Sequence, residues 1–451
     1  MKREKLGSRL GFILLSAGCA IGIGNVWKFP WLVGQNGGGA FVLIYLFFLV
    51  ILGIPVMTME FSMGRASRRS PVKLYEKLEP KGSHWHLHGP IAMIGNYLLM
   101  MFYTTVAGWM LQYFVMSATG TFEGKSAKEV SNVFTTMLSD PFKLVIAMAI
   151  VVVVGFLINA RGLQNGLEKI TKVMMLALLI IMVVLAVNSI FLPGASKGLS
   201  FYLMPNIAEI KKVGIFQVIV SAMNQSFFTL SLGIGAMAIF GSYIEKDHAL
   251  LGESVNVALL DTFVAIVSGM IIFPACFAYG VSPDSGPSLI FITLPNIFNH
   301  MPLGRLWGSL FFVFMTFAAF STVLAVFENI MACTMDLLHC SRQKAALINC
   351  CLVFVLSLPC ALGFNVLSGI HPLGGTTSFM DLEDFIVSNL LLPGGSLIYV
   401  LFCTRKNGWG WDHFVAEANT GKGLKIRQGM RFYMTWILPL IILFILILGL
   451  I

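Results

Sequence analysis

Long runs of apolar residues recur along the chain and are separated by short polar segments. Most runs are long enough to cross a hydrocarbon layer of roughly 30 Å, and they lack the alternating pattern of a membrane β-barrel. Because backbone groups in lipid must pair with one another, each run is expected to form a helix. The pattern predicts an all-α membrane protein with one domain, 1–451, and eleven transmembrane helices at 9–34, 40–64, 89–118, 141–159, 168–192, 214–244, 250–279, 306–338, 345–365, 382–403 and 431–451.

Composition and charge support this reading. Charged residues make up 11% of the chain, whereas a soluble domain typically has about 25%. With the N-terminus placed in the cytoplasm, 22 of the 30 Lys and Arg residues fall on the cytoplasmic side. This predicts a multi-pass protein of the plasma membrane with its C-terminus outside. The net charge of +9 lies in loops between apolar runs, so it does not indicate a nucleic-acid partner.

Two spans contain a Gly-x-Gly sequence beside polar side chains at mid-membrane depth. The first span has Gly22 and Gly24, and the sixth has Gly233 and Gly235. Glycine in a helix interior costs about 1 kcal/mol relative to alanine. Either segment alone fits close helix packing through small residues. The pair, five spans apart, favours two discontinuous helices.

The spacing of these breaks predicts two inverted repeats of five helices, at about 9–192 and about 214–403, with an extra helix at about 431–451. An unwound backbone leaves N–H and C=O groups unpaired, which lipid-buried protein tolerates only where they face a cavity or a ligand. Half-helix N-termini favour a carboxylate, and C-termini favour a cation. A zwitterionic amino acid together with a hard cation would satisfy both ends.

The sequence GIGNVWKFP at 22–30, followed by NGGGAF at 36–41, resembles the first-span signature of the neurotransmitter:sodium symporters. The resemblance covers nearly the whole chain, and the eleven spans are similar to those of bacterial amino-acid transporters in that family. It implies a carrier rather than an enzyme, which imports hydrophobic or aromatic amino acids with sodium by alternating access. Further matches, in the order of the family, are Gly53-Ile54-Pro55, Glu60, Met63-Gly64-Arg65, Arg161-Gly162 and 225–231.

For sodium, the resemblance implies two sites built from oxygen ligands, which suit hard cations. Two features also have a plainer reading: Asp261 as a protonated buried acid, and the adjacent hydroxyls as groups bonded to their own helix. The first site would use Ala20, Asn25, Thr229 and Asp261, and the second would use Gly18, Ile21, Ala318, Ser321 and Thr322.

For the substrate, the resemblance implies one set of residues that binds its carboxylate, a second set that binds its ammonium, and a pocket for its side chain. Gly22 stands where monoamine carriers have Asp, which favours a substrate that brings its own carboxylate. The expected partners of the carboxylate are Ile23, Gly24 and Tyr103. The expected partners of the ammonium are Ala20, Phe228, Thr229 and Ser231. The side-chain pocket is expected to be lined by Leu99, Tyr103, Phe228, Ile234, Thr322 and Val326.

The resemblance also implies two gates. The outer gate would pair Lys28 with Asp384, and the inner gate would pair Arg3 with Asp336 near Tyr243. Lys28 replaces the usual arginine of the family and cannot form a planar bidentate contact.

The carboxylate of Asp261 would supply the charge that many animal members obtain from chloride, so transport is expected to be chloride-independent with two Na⁺ per substrate. The alternative is a cation-coupled carrier of another five-plus-five fold with a different small zwitterionic substrate. A channel is disfavoured because no charged ring or repeated pore loop is found. The oligomeric state and proton antiport are left open.

Overall fold

The computed structural model describes residues 4–281 and 288–450. Within these ranges the regular structure is helical, apart from two isolated β-bridges. Nine helices there are long and apolar enough to cross a membrane, and a tenth candidate is a helix pair bent by 54°. The all-α membrane class predicted from the sequence is therefore confirmed.

We number these ten candidates, together with the broken helix formed by Ile215–Thr229 and Ala236–Gly241, α1 to α11 in chain order. Each of α1 and α6 consists of two halves, a and b. The bounds are α1a (Arg9–Ala20), α1b (Gly24–Gln35), α2 (Gly39–Ser67), α3 (Trp85–Ala118), α4 (Pro141–Ala160), α5 (Leu163–Ile190), α6a (Ile215–Thr229), α6b (Ala236–Gly241), α7 (Leu250–Ala278), α8 (Gly304–Leu338), α9 (Arg342–Leu362), α10 (Phe379–Thr404) and α11 (Met430–Leu448). Shorter helices lie at Pro71–Leu78, Ala127–Ser139, Ala195–Leu203, Ile207–Val213, Leu294–His300 and Trp411–Ala418.

The break in α1 lies against α3 and α8. Helix α1a ends at Ala20, and Ile21 is extended, with φ −72° and ψ 98°. A Cβ at Gly22 would lie 2.0 Å from the Tyr103 hydroxyl and 2.4 Å from that of Thr322. The glycine is therefore required by the close approach of two polar side chains to the unwound backbone.

The break in α6 spans residues 230–235 and uses left-handed backbone. The φ angles of Ser231, Gly233 and Gly235 are 51°, 94° and 76°. The buried carboxylate of Glu60 on α2 accepts hydrogen bonds from Gly233 N at 2.6 Å and Met237 N at 3.2 Å. A negative charge is stabilising at a helix N-terminus, so Glu60 caps α6b.

The remaining helices surround these broken segments. Helices α3 and α8 pack along each other, and α8 is buried continuously from Ser321 to Thr334. The outward faces of α4 and α5 carry exposed apolar side chains, such as Leu157 at 59% and Ile180 at 66% exposure. Such faces are suited to lipid, whereas the polar groups of the breaks lie inside.

Closest packing between α2 and α6b occurs at Gly64, where a Cβ would lie 1.9 Å from the carbonyl oxygen of Ala238. We expect Gly64→Ala to destabilise the protein by about 1–3 kcal/mol, because the backbone of α6b must shift. Thermal denaturation followed by size-exclusion chromatography measures the effect. Gly369→Ala is the matched control, since nothing lies within 4 Å of its Cβ position. Equal melting temperatures for the two variants would contradict the expectation.

Candidate functional site

A carboxylate lies between the two broken helices. Asp261 on α7 is fully buried, and its Oδ1 accepts a 2.8 Å hydrogen bond from Asn25 Nδ2. The Thr229 hydroxyl donates to Oδ2 at 3.2 Å. Asn25 Oδ1 in turn accepts from Gly22 N at 3.2 Å. Among the described residues, no Lys, Arg or His pairs with Asp261, so the site contains an acidic group and several oxygens without a cationic side chain.

A second group of oxygens joins α1a to α8. The Ser321 hydroxyl donates to the carbonyl of Ala318 at 2.9 Å and to that of Ile21 at 3.3 Å. The Thr322 hydroxyl lies 3.2 Å from the Gly18 carbonyl and 3.3 Å from that of Ile21. The Ser321 hydroxyl therefore bonds to its own helix and also contacts the backbone at the end of α1a. This group contains neutral oxygens only.

A small cavity lies beside both groups. Tyr103 accepts a 2.8 Å hydrogen bond from Ile23 N, and Ser231 donates to the Cys19 carbonyl at 3.3 Å. The lining combines polar groups on one side with apolar side chains on the other. It consists of Ala20, Gly24, Leu99, Tyr103, Phe228, Ser231, Thr322 and Leu392.

Two residues predicted for the pocket lie outside this lining. The side chain of Ile234 is directed to α3, where its Cγ2 lies 2.9 Å from the Cβ position of Gly95. Gly233 and Gly235 on either side have left-handed backbone. Val326 is fully buried within α8. Leu392 of α10 lines the cavity instead, and no feature of the sequence indicated it.

Above the cavity, at the end predicted to face outside, Lys28 lies close to Asp384. The Nζ–Oδ1 distance is 3.2 Å, and Nζ also lies 3.3 Å from the Ser388 hydroxyl. The ammonium lies 3.9 Å from the centroid of the Phe228 ring. A cavity of about 210 Å³ lies beside this contact. It is lined by Ile23, Trp27, Lys28, Trp31, Phe102, Tyr103, Val106, Phe228, Met380, Asp381 and Asp384.

At the opposite end, the predicted partner Arg3 lies outside the described residues. Asp336 accepts a hydrogen bond from Ser70 N at 2.8 Å, and Arg69 lies 3.9 Å away. The Tyr243 hydroxyl donates to Glu328 at 2.6 Å. Sequence reasoning missed Glu328, which also pairs with Arg342 at 2.7 Å; an acid within the apolar run of α8 was the available signal.

The segment before α1a is bound to the same end of the molecule. Glu168 on α5 accepts from Gly7 N at 2.8 Å and from Lys172 at 2.6 Å. Lys5 pairs with Glu245, in the loop after α6b. The hydrogen bond from Lys5 lowers the pKa of Glu245, against a smaller opposing effect of burial. The start of α1a is therefore held to α5 and to this loop.

Comparison with known proteins agrees with this architecture. The model of the Sodium:neurotransmitter symporter family matches residues 3–136 and 126–451. An uncharacterised sodium-dependent transporter of Bacillus subtilis is 34% identical over 96% of this chain and 94% of its own. The sodium-dependent serotonin transporter of Drosophila melanogaster is 24% identical over 99% of this chain and 76% of its own.

Among solved structures, MhsT in complex with L-phenylalanine is 36% identical, with a TM-score of 0.89 over 100% of both chains. The family predicted from the first-span motif is thus confirmed, together with the prediction that the protein is not an enzyme. The chain belongs to the sodium:neurotransmitter symporter family and is a sodium-dependent, multi-pass membrane transporter.

Proposed function

We propose that this protein imports an amino acid with an apolar or aromatic side chain together with two sodium ions, without a requirement for chloride. The observation that carries the proposal is the buried Asp261 carboxylate between the broken helices, which has no cationic side-chain partner among the described residues. A fixed charge at this depth marks an ion or substrate pathway. A sodium ion would neutralise it.

The first sodium ion would be bound by the group around Asp261. Its ligands would be oxygens of Ala20, Asn25, Thr229 and Asp261, with the carboxylate of the substrate completing the shell. The 3.2 Å contact of the Thr229 hydroxyl with Asp261 supports this assignment, since it brings two of these oxygens together, and the Asn25 amide nitrogen lies 2.8 Å from the same carboxylate. Because the substrate contributes a ligand, binding of the two would be coupled.

The second sodium ion would be bound between α1a and α8. The proposed ligands are the carbonyls of Gly18, Ile21 and Ala318 and the hydroxyls of Ser321 and Thr322. The distances of 2.9–3.3 Å between these hydroxyls and carbonyls support the assignment, because a small cation needs oxygens that converge. With only neutral ligands, this site would bind sodium more weakly than the first.

The amino acid would occupy the small cavity. Its carboxylate would face the N–H groups of Ile23 and Gly24 and the Tyr103 hydroxyl. Its ammonium would face the carbonyls of Ala20, Phe228 and Thr229 and the Ser231 hydroxyl. Leu99, Phe228 and Leu392 make one wall apolar, and the similar MhsT structure contains L-phenylalanine. Both facts favour an apolar or aromatic substrate.

Alternating access would depend on contacts at both ends. Separation of Lys28 from Asp384, with movement of the Phe228 ring, would open the cavity to the outside. Release of the segment before α1a from Glu168 and Glu245 would open it to the cytoplasm. We retain the predicted Arg3–Asp336 pair as part of this inner closure.

The proposed stoichiometry provides sufficient energy for concentrative uptake. One charge crossing 100 mV is worth about 2.3 kcal/mol, so two sodium ions provide about 4.6 kcal/mol before any sodium gradient is counted. This corresponds to more than about a thousandfold accumulation of a neutral amino acid, since about 1.4 kcal/mol is a factor of ten.

Uptake into proteoliposomes with a panel of substrates tests the proposal. We expect saturable, sodium-dependent uptake of L-phenylalanine or L-leucine and no uptake of serotonin, because Gly22 provides no carboxylate for an amine. A potassium gradient in place of sodium is the control. Sodium-independent uptake of every amino acid tested would contradict the proposal.

The Asp261→Asn variant tests the role of the fixed charge. We expect sodium-dependent uptake by the native protein to be unchanged when gluconate replaces chloride at constant membrane potential. The variant should lose about tenfold or more of its sodium affinity in gluconate, because a contact with a charged group is worth about 1.5–3 kcal/mol. A native protein that requires chloride would refute the assignment.

The Ser321→Ala variant tests the second sodium site. We expect the sodium concentration for half-maximal binding to rise about tenfold. At saturating sodium the Kd for L-phenylalanine should stay within about twofold of the native value, because Ser321 does not line the cavity. Thr316→Ala is the matched control, since that hydroxyl bonds to the Phe312 carbonyl of the same helix. Identical sodium titrations for both variants would remove Ser321 from the site.

A further inference from the structure

The first turns of α10 contain three acidic residues in four positions, and their environments differ. Asp381 accepts hydrogen bonds from the backbone N–H and the hydroxyl of Ser378, both at 2.7 Å, and caps the helix. Asp384 pairs with Lys28. Glu383 lies beside Cys360 of α9, and it is only 3% exposed.

No counter-charge to Glu383 is found among the described residues. Neither of its oxygens has an N–H or O–H donor among the described residues. Its polar neighbour is the thiol of Cys360 on α9, a weak hydrogen-bonding group, which itself lies beside Thr105 on α3. The other titratable groups nearby are Asp381 and Asp384 of its own helix. The ammonium of Lys28 is directed to Asp384.

The burial of Glu383 without a partner favours its neutral form. A buried carboxylate without a cation or strong donors is far more costly than a buried neutral carboxylic acid. The neutral acid also gains the ability to donate its O–H to the sulfur of Cys360.

We propose that Glu383 is a proton-binding site of the closed outer gate. The proton is bound while the start of α10 packs against α3 and α9. When this segment moves away and water reaches the carboxyl group, the O–H bond breaks, the proton passes to extracellular water and a hydrated carboxylate remains. The position of the gate rests on the proposed function, whereas the proton on Glu383 does not.

Proton binding by Glu383 would link the position of the outer gate to external pH. Because the closed gate binds the proton more tightly than the open gate, low external pH favours closure and high external pH favours opening. One proton changes the ratio of open to closed forms by at most about tenfold for each pH unit.

Infrared spectroscopy of the purified protein in detergent tests the proton directly. At neutral pH we expect the carbonyl absorption of neutral carboxylic acids to be weaker in Glu383→Gln than in the native protein. Asp381→Asn is the matched control and should leave this absorption unchanged. Should the glutamine variant fail to fold, Glu383→Met provides a second apolar replacement. Equal absorption in native protein and folded variant overturns the proposal.

A labelling experiment tests the coupling to the gate. Val106, which lines the outer cavity, is replaced by cysteine, and its reaction with a membrane-impermeant thiol reagent is followed against external pH. The rate with Glu383 intact, divided by the rate in the presence of Glu383→Gln, gives a ratio that cancels the titration of the thiol itself. We expect this ratio to increase with pH, by up to about tenfold per unit. A ratio that is independent of pH overturns the coupling. Neither experiment requires a transported amino acid, so a failure of the proposed function is detected separately.

Discussion

Peptide groups that leave a helix inside the membrane need hydrogen-bond partners from elsewhere, and this requirement determines what surrounds the two breaks. At the break in α6, the carboxylate of Glu60 accepts from two backbone N–H groups. At the break in α1, the hydroxyl of Tyr103 accepts from Ile23 N, and the amide of Gln225 donates to the Gly24 carbonyl at 3.0 Å. Side chains of α2, α3 and α6a thus stabilise unwound backbone that would otherwise be too costly.

The two groups of oxygens differ in charge and in the helices that they connect. The group at Asp261 contains a carboxylate and joins α1, α6 and α7. The group at Ser321 is neutral and joins only α1a and α8. Under the proposed function, a cation at the second group would hold α1a against α8. Its departure would weaken that contact, which is the step that inward opening requires.

The sequence was sufficient to predict the parts of the fold that depend on local pattern. Apolar run length indicates membrane helices, and the glycines at 22, 24, 233 and 235 indicated the positions of both breaks. The direction of Ile234 was not predictable, because it lies in unwound backbone, where helical periodicity does not apply. The pairing of Glu328 with Arg342 was also missed, since it depends on how α9 folds back onto α8.

Contacts between distant residues explain the remaining differences. Glu168 is 161 positions from Gly7, and no local pattern connects the two. Leu392 enters the cavity because α10 passes beside α6, a tertiary arrangement that periodicity does not encode. The motif similarity to a known family gave the predicted ligand sets, which composition and spacing alone left open.

The crowding around Gly22 limits how the specificity of this transporter can evolve. A side chain at that position would collide with the hydroxyls of both Tyr103 and Thr322. The aspartate that monoamine carriers have there therefore requires the Tyr103 and Thr322 side chains to shift. Under the proposed function, a lineage that moved from amino acids to amines would need smaller or displaced neighbours on α3 and α8 as well as the new acid, so substitutions at the three positions would depend on one another.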